Sequence, residues 1–164
     1  MKKTAVIVGV GPGLGKHIAL KFGAMDFRVV LLARKEAALK EYQKDLIMQG
    51  IETHYYQADA AGAYTCIRLL DTEEFAGKNG AILITGGKLA TQPHFAFLPL
   101  SMDKAALRAM VYAMHPVLKE KGIFLGMVTV MDGIAPGSHF APEKIAEKYW
   151  ELYTDRSKIE VQYD

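Results

Sequence analysis

Several features are scarce in this sequence of 164 residues, and each scarcity excludes a class of protein. Cys66 is its one cysteine, which excludes an intramolecular disulfide and predicts a reducing compartment, the cytoplasm. No segment approaches the roughly 20 apolar residues of a membrane helix, and Met1-Lys2-Lys3 leads directly into a predicted strand instead of a signal peptide. A formal net charge of +2 gives no reason to expect a nucleic-acid partner.

Two kinds of reactive site are also missing from the pattern. The five histidines have no metal-ligand spacing, so no metal site is predicted, and the nucleophile motif G-x-S-x-G does not occur. Two of these histidines, His94 and His139, fall in the long irregular stretches 88–100 and 131–141, where they are candidates to face a substrate. Both stretches follow predicted strands.

The start of the chain contains the strongest positive signal. The apolar run Val6-Ile7-Val8 leads into a turn with the spacing G-x-x-x-G-x-G, formed by Gly9, Gly13 and Gly15, and then into an amphipathic helix. Glycines permit positive φ and let a ligand approach the backbone, while the following helix presents unpaired N–H groups with partial positive charge. This arrangement predicts a phosphate-binding turn. The alternative is a tight strand-to-helix turn that binds no ligand.

Strands and helices alternate along the rest of the chain. The predicted strands are 6–8, 28–33, 52–57, 81–85, 123–130 and 159–163, and the predicted helices after the first cover about 35–49, 62–70, 101–121 and the segment from 142. Ser101 is the predicted N-cap of the long helix, which contains Pro116 and ends at Gly122. Continuous apolar strands are typical of parallel sheets covered on both faces. We therefore expect an α/β fold: one Rossmann-type domain, residues 1–164, whose doubly wound, mostly parallel sheet has helices on both faces in three layers.

The chain resembles the short-chain dehydrogenase/reductase family over nearly its whole length. Four segments carry this resemblance: the glycine turn, Ala33-Arg34-Lys35 after the second strand, Asp59 after the third, and Ser101-Met102-Asp103-Lys104-Ala105-Ala106-Leu107. The resemblance implies binding of NADP, with NAD possible. Ala33 offers no carboxylate to an NAD ribose, whereas Arg34 can pair with a 2′-phosphate. The implied cofactor-binding residues are Gly9, Gly11, Gly13, Leu14, Gly15, Arg34, Asp59 and Lys104.

The sequence departs from this family where the chemistry is performed. The family uses Tyr-x-x-x-Lys, in which the tyrosine is the acid or base and the lysine holds the nicotinamide ribose; here Lys104 is present, but Leu100 stands at the tyrosine position. Thr85 and Ser101 are the remaining candidates to polarise a carbonyl, with water or a loop histidine supplying the proton. One hypothesis is therefore an NADP-dependent oxidoreductase for a small carbonyl or alcohol with a degenerate site. The other is a non-catalytic NADP(H)-binding sensor or scaffold, and a remnant that binds nothing is a third possibility.

The chain is also short for the family. The segment 62–68 resembles the middle of the family's fourth helix, yet it follows Asp59 almost at once, so a helix and a strand are expected to be missing between Asp59 and Gly62. Either the strand 81–85 lies directly beside the first strand, or the sequence lacks residues at this junction. The resemblance further implies a homodimer or homotetramer formed through the helices 62–70 and 101–121, and a small-molecule substrate.

Overall fold

The computed structural model describes residues 2–9, 13–58 and 80–164. Its strands are β1 (Lys3–Val8), β2 (Phe27–Ala33), β3 (Thr53–Gln57), β4 (Ala81–Gly87), β5 (Phe124–Val130) and β6 (Glu160–Tyr163). Its α-helices are α1 (Leu14–Ala24), α2 (Glu36–Met48), α3 (Leu98–Glu120) and α4 (Pro142–Asp155). Two short 3₁₀ segments, Lys88–Ala90 and Phe95–Phe97, join β4 to α3.

The strands form one sheet in the order β3-β2-β1-β4-β5-β6, and every neighbouring pair is parallel. The order reverses at β1, because the chain first builds outward through β2 and β3 and then returns to the other side. Ligands of such open sheets bind at the carboxyl ends of the strands beside this reversal. The carboxyl ends of β1, β2, β4 and β5 therefore define the edge at which a site is expected.

Helices cover both faces of the sheet, as the sequence predicted. On one face, Ile7, Leu31 and Leu83 pack in the same buried cluster as α1, α2 and α4. On the other face, Ile84 and Met127 pack in a second cluster with residues of α3. Side chains alternate along a strand, so every buried strand contributes to both clusters. This is the three-layer α/β architecture of the Rossmann type.

An aromatic cluster fixes α1 and α4 against the sheet. The fully buried ring of Phe22 lies 5.3 Å from Phe27, 5.3 Å from Trp150 and 5.7 Å from Tyr153, measured between centroids in edge-to-face contacts. Such pairs contribute roughly 0.5–1.5 kcal/mol each beyond their buried area. These contacts hold the carboxyl-terminal part of α1 against α4 and the sheet. Among the described residues, no helix is both long enough and apolar enough to cross a bilayer.

The predicted elements differ from the observed ones mainly at their ends. The prediction of Ser101 as the N-cap of the long helix is wrong, because α3 begins at Leu98 with Pro99 in its first turn. Proline suits that position, since its missing N–H would have no helical partner there. Gly122 follows the helix with φ 72°, in agreement with its predicted role as the stop. The predicted helix at 62–70 lies outside the described residues.

The sheet adopts the first of the two arrangements left open for the short chain. β4 pairs directly with β1, with Val6 opposite Ile82 and Val8 opposite Ile84. The backbone groups on that side of β1 are thus paired within the sheet, as buried N–H and C=O groups require.

Candidate functional site

The glycine turn lies at the carboxyl end of β1, beside the reversal of strand order. Gly9 has φ 84° and Gly13 has φ 98°, values that an L side chain adopts only with strain. Gly13 is the N-cap of α1, no side chain caps the helix, and its first turn contains no acidic residue. The first amides of α1 are therefore free to meet an anion, and no carboxylate of that turn competes.

The predicted phosphate-binding residues are only partly covered by the described structure. Leu14 and Gly15 form the buried first turn of α1, next to Gly13. Gly11 and Asp59, two of the cofactor-binding residues that the resemblance implies, lie outside the described residues.

Arg34 follows the last residue of β2 and is exposed. Its carbonyl accepts a hydrogen bond of 2.9 Å from the Gln57 side-chain amide, which ties the end of β2 to the end of β3. No carboxylate of the described residues pairs with its guanidinium. Among the described residues, Arg34 therefore presents an unpaired positive charge at the same edge as the glycine turn.

Lys104 reaches this edge from α3. Its Nζ donates to the Thr85 carbonyl at 2.9 Å, and a Cβ built on Gly87 would lie 3.8 Å from Lys104 Cε. Burial lowers the pKa of the Lys104 ammonium, the neighbouring Asp103 carboxylate raises it, and the Arg34 charge lowers it. Lys104 and Arg34 thus place two positive charges at the carboxyl edge of the sheet.

Thr85 divides its contacts between the two faces of the sheet. Its carbonyl binds Lys104 of α3, whereas Oγ1 lies 3.0 Å from the hydroxyl of Tyr149 on α4. The same Tyr149 hydroxyl donates to the Ile84 carbonyl at 3.0 Å, and burial raises its pKa, so it stays protonated. The Thr85 hydroxyl is therefore turned away from Lys104. The sequence offered no signal for the Tyr149 contact, since Tyr149 had the spacing of an ordinary apolar helix position.

Ser101 is nearly fully buried in the first turns of α3. Its hydroxyl donates to the Phe97 carbonyl at 3.0 Å and accepts from the His94 backbone N–H at 3.3 Å. This hydroxyl holds the preceding loop onto the helix. Both hydrogen bonds of the Ser101 hydroxyl are therefore to main-chain groups.

The segment before Lys104 is unusually exposed. Phe95 is 92% exposed, and Leu100, one helical turn before Lys104, is 44% exposed. The loop histidines already have partners: His94 Nδ1 accepts from the Ala96 N–H at 3.2 Å, and His139 Nε2 lies 2.8 Å from the Asp164 carbonyl. Lys104 is thus a cation that α3 places at the end of β4, on the face opposite to Tyr149.

Comparison with known proteins agrees with this geometry. The family model for short chain dehydrogenase matches residues 3–72. A diacetyl reductase [(S)-acetoin forming] of Staphylococcus epidermidis is 38% identical over 61 residues, which are 37% of this chain and 24% of that protein. The matched segment therefore spans about a quarter of the reductase.

Two solved structures share the fold at low identity. A short chain dehydrogenase/reductase from Burkholderia phymatum in complex with NAD has a TM-score of 0.78 and 12% identity, covering 99% of this chain and 89% of that one. A short chain dehydrogenase from Burkholderia cenocepacia in complex with NADP has a TM-score of 0.71 and 19% identity, covering 99% and 96%. The amino-terminal part of the chain is thus similar in sequence to short chain dehydrogenases, and the solved structures show that the whole described sheet has the same Rossmann-type fold.

Proposed function

We propose that this protein binds NADP(H) at the carboxyl edge of its sheet and catalyses slow hydride exchange between that nucleotide and a small carbonyl or alcohol. The observation that carries the proposal is the uncapped amino end of α1, preceded by Gly13 at φ 98°. Relatives with this fold were solved with NAD and with NADP. The donor set suits a diphosphate, because no side chain caps the first amides of α1 and no acid lies in its first turn.

Each residue has a distinct part in the proposed complex. The amides of Gly13, Leu14 and Gly15 would bind the pyrophosphate, with Gly9 and Gly11 shaping the turn. Arg34 would pair with the 2′-phosphate and so favour NADP over NAD. The adenine would be bound by Asp59.

Lys104 would bind the nicotinamide ribose and direct positive charge toward the reacting oxygen. The nicotinamide, when bound, supplies or accepts the hydride. Thr85 and Ser101 stay candidates to polarise the carbonyl, and either hydroxyl would first have to exchange its present partner. The proton would then come from water, and loss of a positioned general acid typically costs 10²–10⁴-fold in rate.

A second candidate function is a binding protein without turnover. Leu100 occupies the position of the family's acid and is exposed, and the nearby Thr85 and Ser101 hydroxyls are hydrogen-bonded within the protein. Such a site would retain nucleotide affinity and lack the reaction. The two candidate functions differ only in whether the bound nucleotide exchanges a hydride with a substrate, so one experiment can separate them.

The test is a titration with NADPH and with NADH, followed by nucleotide fluorescence, and then an assay of NADPH oxidation with a panel of aldehydes and ketones. Binding with oxidation supports the oxidoreductase, and binding without oxidation supports the sensor or scaffold. If neither nucleotide binds nor raises the melting temperature, both candidates fail, because a ligand of the folded state must stabilise it.

We also propose that the chain is one domain that associates with copies of itself. Met102, Tyr112 and Val117 of α3 are exposed apolar residues on the helix that the family resemblance assigned to subunit contact. Elution as a monomer in size-exclusion chromatography would contradict this.

The cytoplasmic location stays a prediction, for which cell fractionation is the measurement.

A further inference from the structure

A cavity of about 110 Å³ lies at the amino end of β5, on the sheet edge opposite to the glycine turn. Its lining consists of His115 and Lys119 from α3, Gly122, Ile123 and Phe124 at the start of β5, and Arg156 after α4. Three of these six residues can carry positive charge. The nucleotide proposed above would bind at the other edge, so this cavity needs a separate explanation.

Arg156 is held rigidly at the cavity. Its guanidinium lies 4.4 Å from the Tyr153 ring centroid and 5.6 Å from that of Phe124, and its Nε donates to the Tyr153 carbonyl at 3.0 Å. The residue itself has φ 53°, a conformation that few non-glycine residues adopt. These contacts leave the terminal NH₂ groups of a preoriented guanidinium for a further acceptor, which is the geometry that recognises oxyanions.

A comparison among the described arginines, residues 28, 34, 108 and 156, singles out two of them. Arg28 and Arg108 each form an ion pair with a glutamate. Arg34 and Arg156 have no carboxylate partner among the described residues. Arg34 is the residue proposed above to bind a phosphate, and Arg156 has the same unpaired charge beside a cavity.

Lys119 adds a second positive charge to the lining, and His115 adds a polar ring nitrogen. His115 Nδ1 lies 2.8 Å from the Leu125 carbonyl, which can only accept, so Nδ1 carries a proton and Nε2 is the ring's remaining polar atom. Lys119 is exposed and has no ion pair with another described residue. Because α3 and α4 both end here, their dipoles favour cations. The helix dipoles explain why basic residues occur here. They do not explain why a cavity lies between these residues or why the guanidinium is stacked on two rings.

We propose that this cavity binds a small oxyanion group, a phosphate or a carboxylate, through Arg156 and Lys119, with His115 lining the same space. A water molecule occupies about 30 Å³ in the liquid, so the space suits one tetrahedral oxyanion or one short carboxylate. The Phe124 ring forms an apolar wall beside the charges. The site is independent of the proposed nucleotide site, because it lies at the opposite ends of the strands.

The test uses the full chain labelled with ¹⁵N and titrated separately with inorganic phosphate and with acetate, at constant ionic strength, while the amide signals of Gly122 and Ile123 are followed. Saturable shifts at these amides are expected with at least one of the two anions, and the anion that binds identifies the oxyanion class. Arg156→Gln should weaken binding about tenfold, since it removes the charge-assisted hydrogen bonds. Lys119→Gln, at an exposed position, should weaken it roughly twofold to threefold.

The matched control is Arg28→Gln, which removes one positive charge from an arginine that begins a strand at the same sheet edge but is paired with Glu52. Its anion affinity should equal that of the unmodified protein. The titration is repeated with saturating NADPH, and persistence of the shifts shows a separate site. The proposal is overturned if neither anion gives saturable shifts, if NADPH abolishes them, or if Arg28→Gln weakens binding as much as Lys119→Gln and Arg156→Gln.

Discussion

The carboxyl edge of the sheet has two halves that differ in what they are made of. The half around β1 and α1 consists of glycines and main-chain amides, with Gly9 and Gly13 in the positive-φ conformations that the proposed phosphate-binding turn requires. The half around β4 and α3 depends on side chains, and there Thr85 is turned toward Tyr149 while Leu100 replaces the expected acid. Main-chain amides can bind an anion wherever the backbone has the right conformation. A reaction also requires specific side-chain groups at fixed distances from the substrate.

This contrast suggests that affinity and turnover are separable properties of the chain. Nucleotide binding should depend on conformation in the first half and on charge at Arg34. Turnover should depend on which side chains lie near Lys104. The following variants test that separation, in order of expected effect.

Leu100→Tyr should raise the rate of NADPH oxidation with a responsive carbonyl compound by about 100-fold. Leu100 is one turn before Lys104 and is exposed, so a tyrosine there requires little repacking and brings a hydroxyl near the lysine. The measurement is the steady-state rate at saturating NADPH. Met102→Tyr, which adds the same ring at a 64% exposed position of α3, should leave the rate unchanged. Equal rates for both variants would show that the half around β4 and α3 lacks a further catalytic group besides the tyrosine hydroxyl.

Gly13→Ala should weaken NADPH binding about tenfold or more, because an L residue at φ 98° is strained and the turn must shift. Fluorescence titration gives the dissociation constant. Gly50→Ala is the matched control, since Gly50 has φ 76° at the end of α2. It should lose stability without losing affinity. Unchanged binding by Gly13→Ala would mean that the turn does not bind the pyrophosphate.

Arg34→Gln should lower the preference for NADPH over NADH by roughly fivefold, since only NADPH carries the 2′-phosphate. The two dissociation constants are measured side by side. Arg28→Gln removes a charge from the opposite edge and should leave their ratio unchanged. A ratio that stays constant in Arg34→Gln would remove this residue from the proposed site.

Raising the pH toward 10.5, the ordinary pKa of lysine, should weaken NADPH binding roughly threefold. Burial lowers the pKa of Lys104 below the ordinary lysine value, so its charge is lost at a lower pH. The effect on stability has the opposite sign: the cost of burying the charge is full below the lowered pKa and disappears as pH rises toward 10.5. Lys104→Arg keeps its charge and should bind equally well over this range; the same decline in that variant would exclude Lys104 as the cause.

Much of the fold could be predicted, because strong local patterns and packing agree. The apolar runs in β1, β2 and β5 are buried on both faces, and Gly122 ends α3 where its flexibility is needed. The start of α3 could not be predicted correctly, since Ser101 is a favourable N-cap residue but Pro99 is a favourable first-turn residue, and both occur within four positions.

The site was less predictable for a different reason. Thr85 belongs to a strand that is covered on both sides, so the sequence does not indicate which way its hydroxyl points. That direction depends on Tyr149, more than sixty residues later in the chain, whose hydroxyl reaches the end of β4. Only the packing of α4 on the sheet determines this contact.

The direct pairing of β4 with β1 has a consequence for how such a site survives divergence. Adjacent strands are roughly 4.8 Å apart whatever their side chains, so the gap between the turn after β1 and the carbonyl that holds Lys104 is dictated by peptide geometry. Substitutions that keep both strands therefore change side chains without changing this gap. Mutations can then alter the side chains near Lys104 while the spacing between β1 and β4 stays the same.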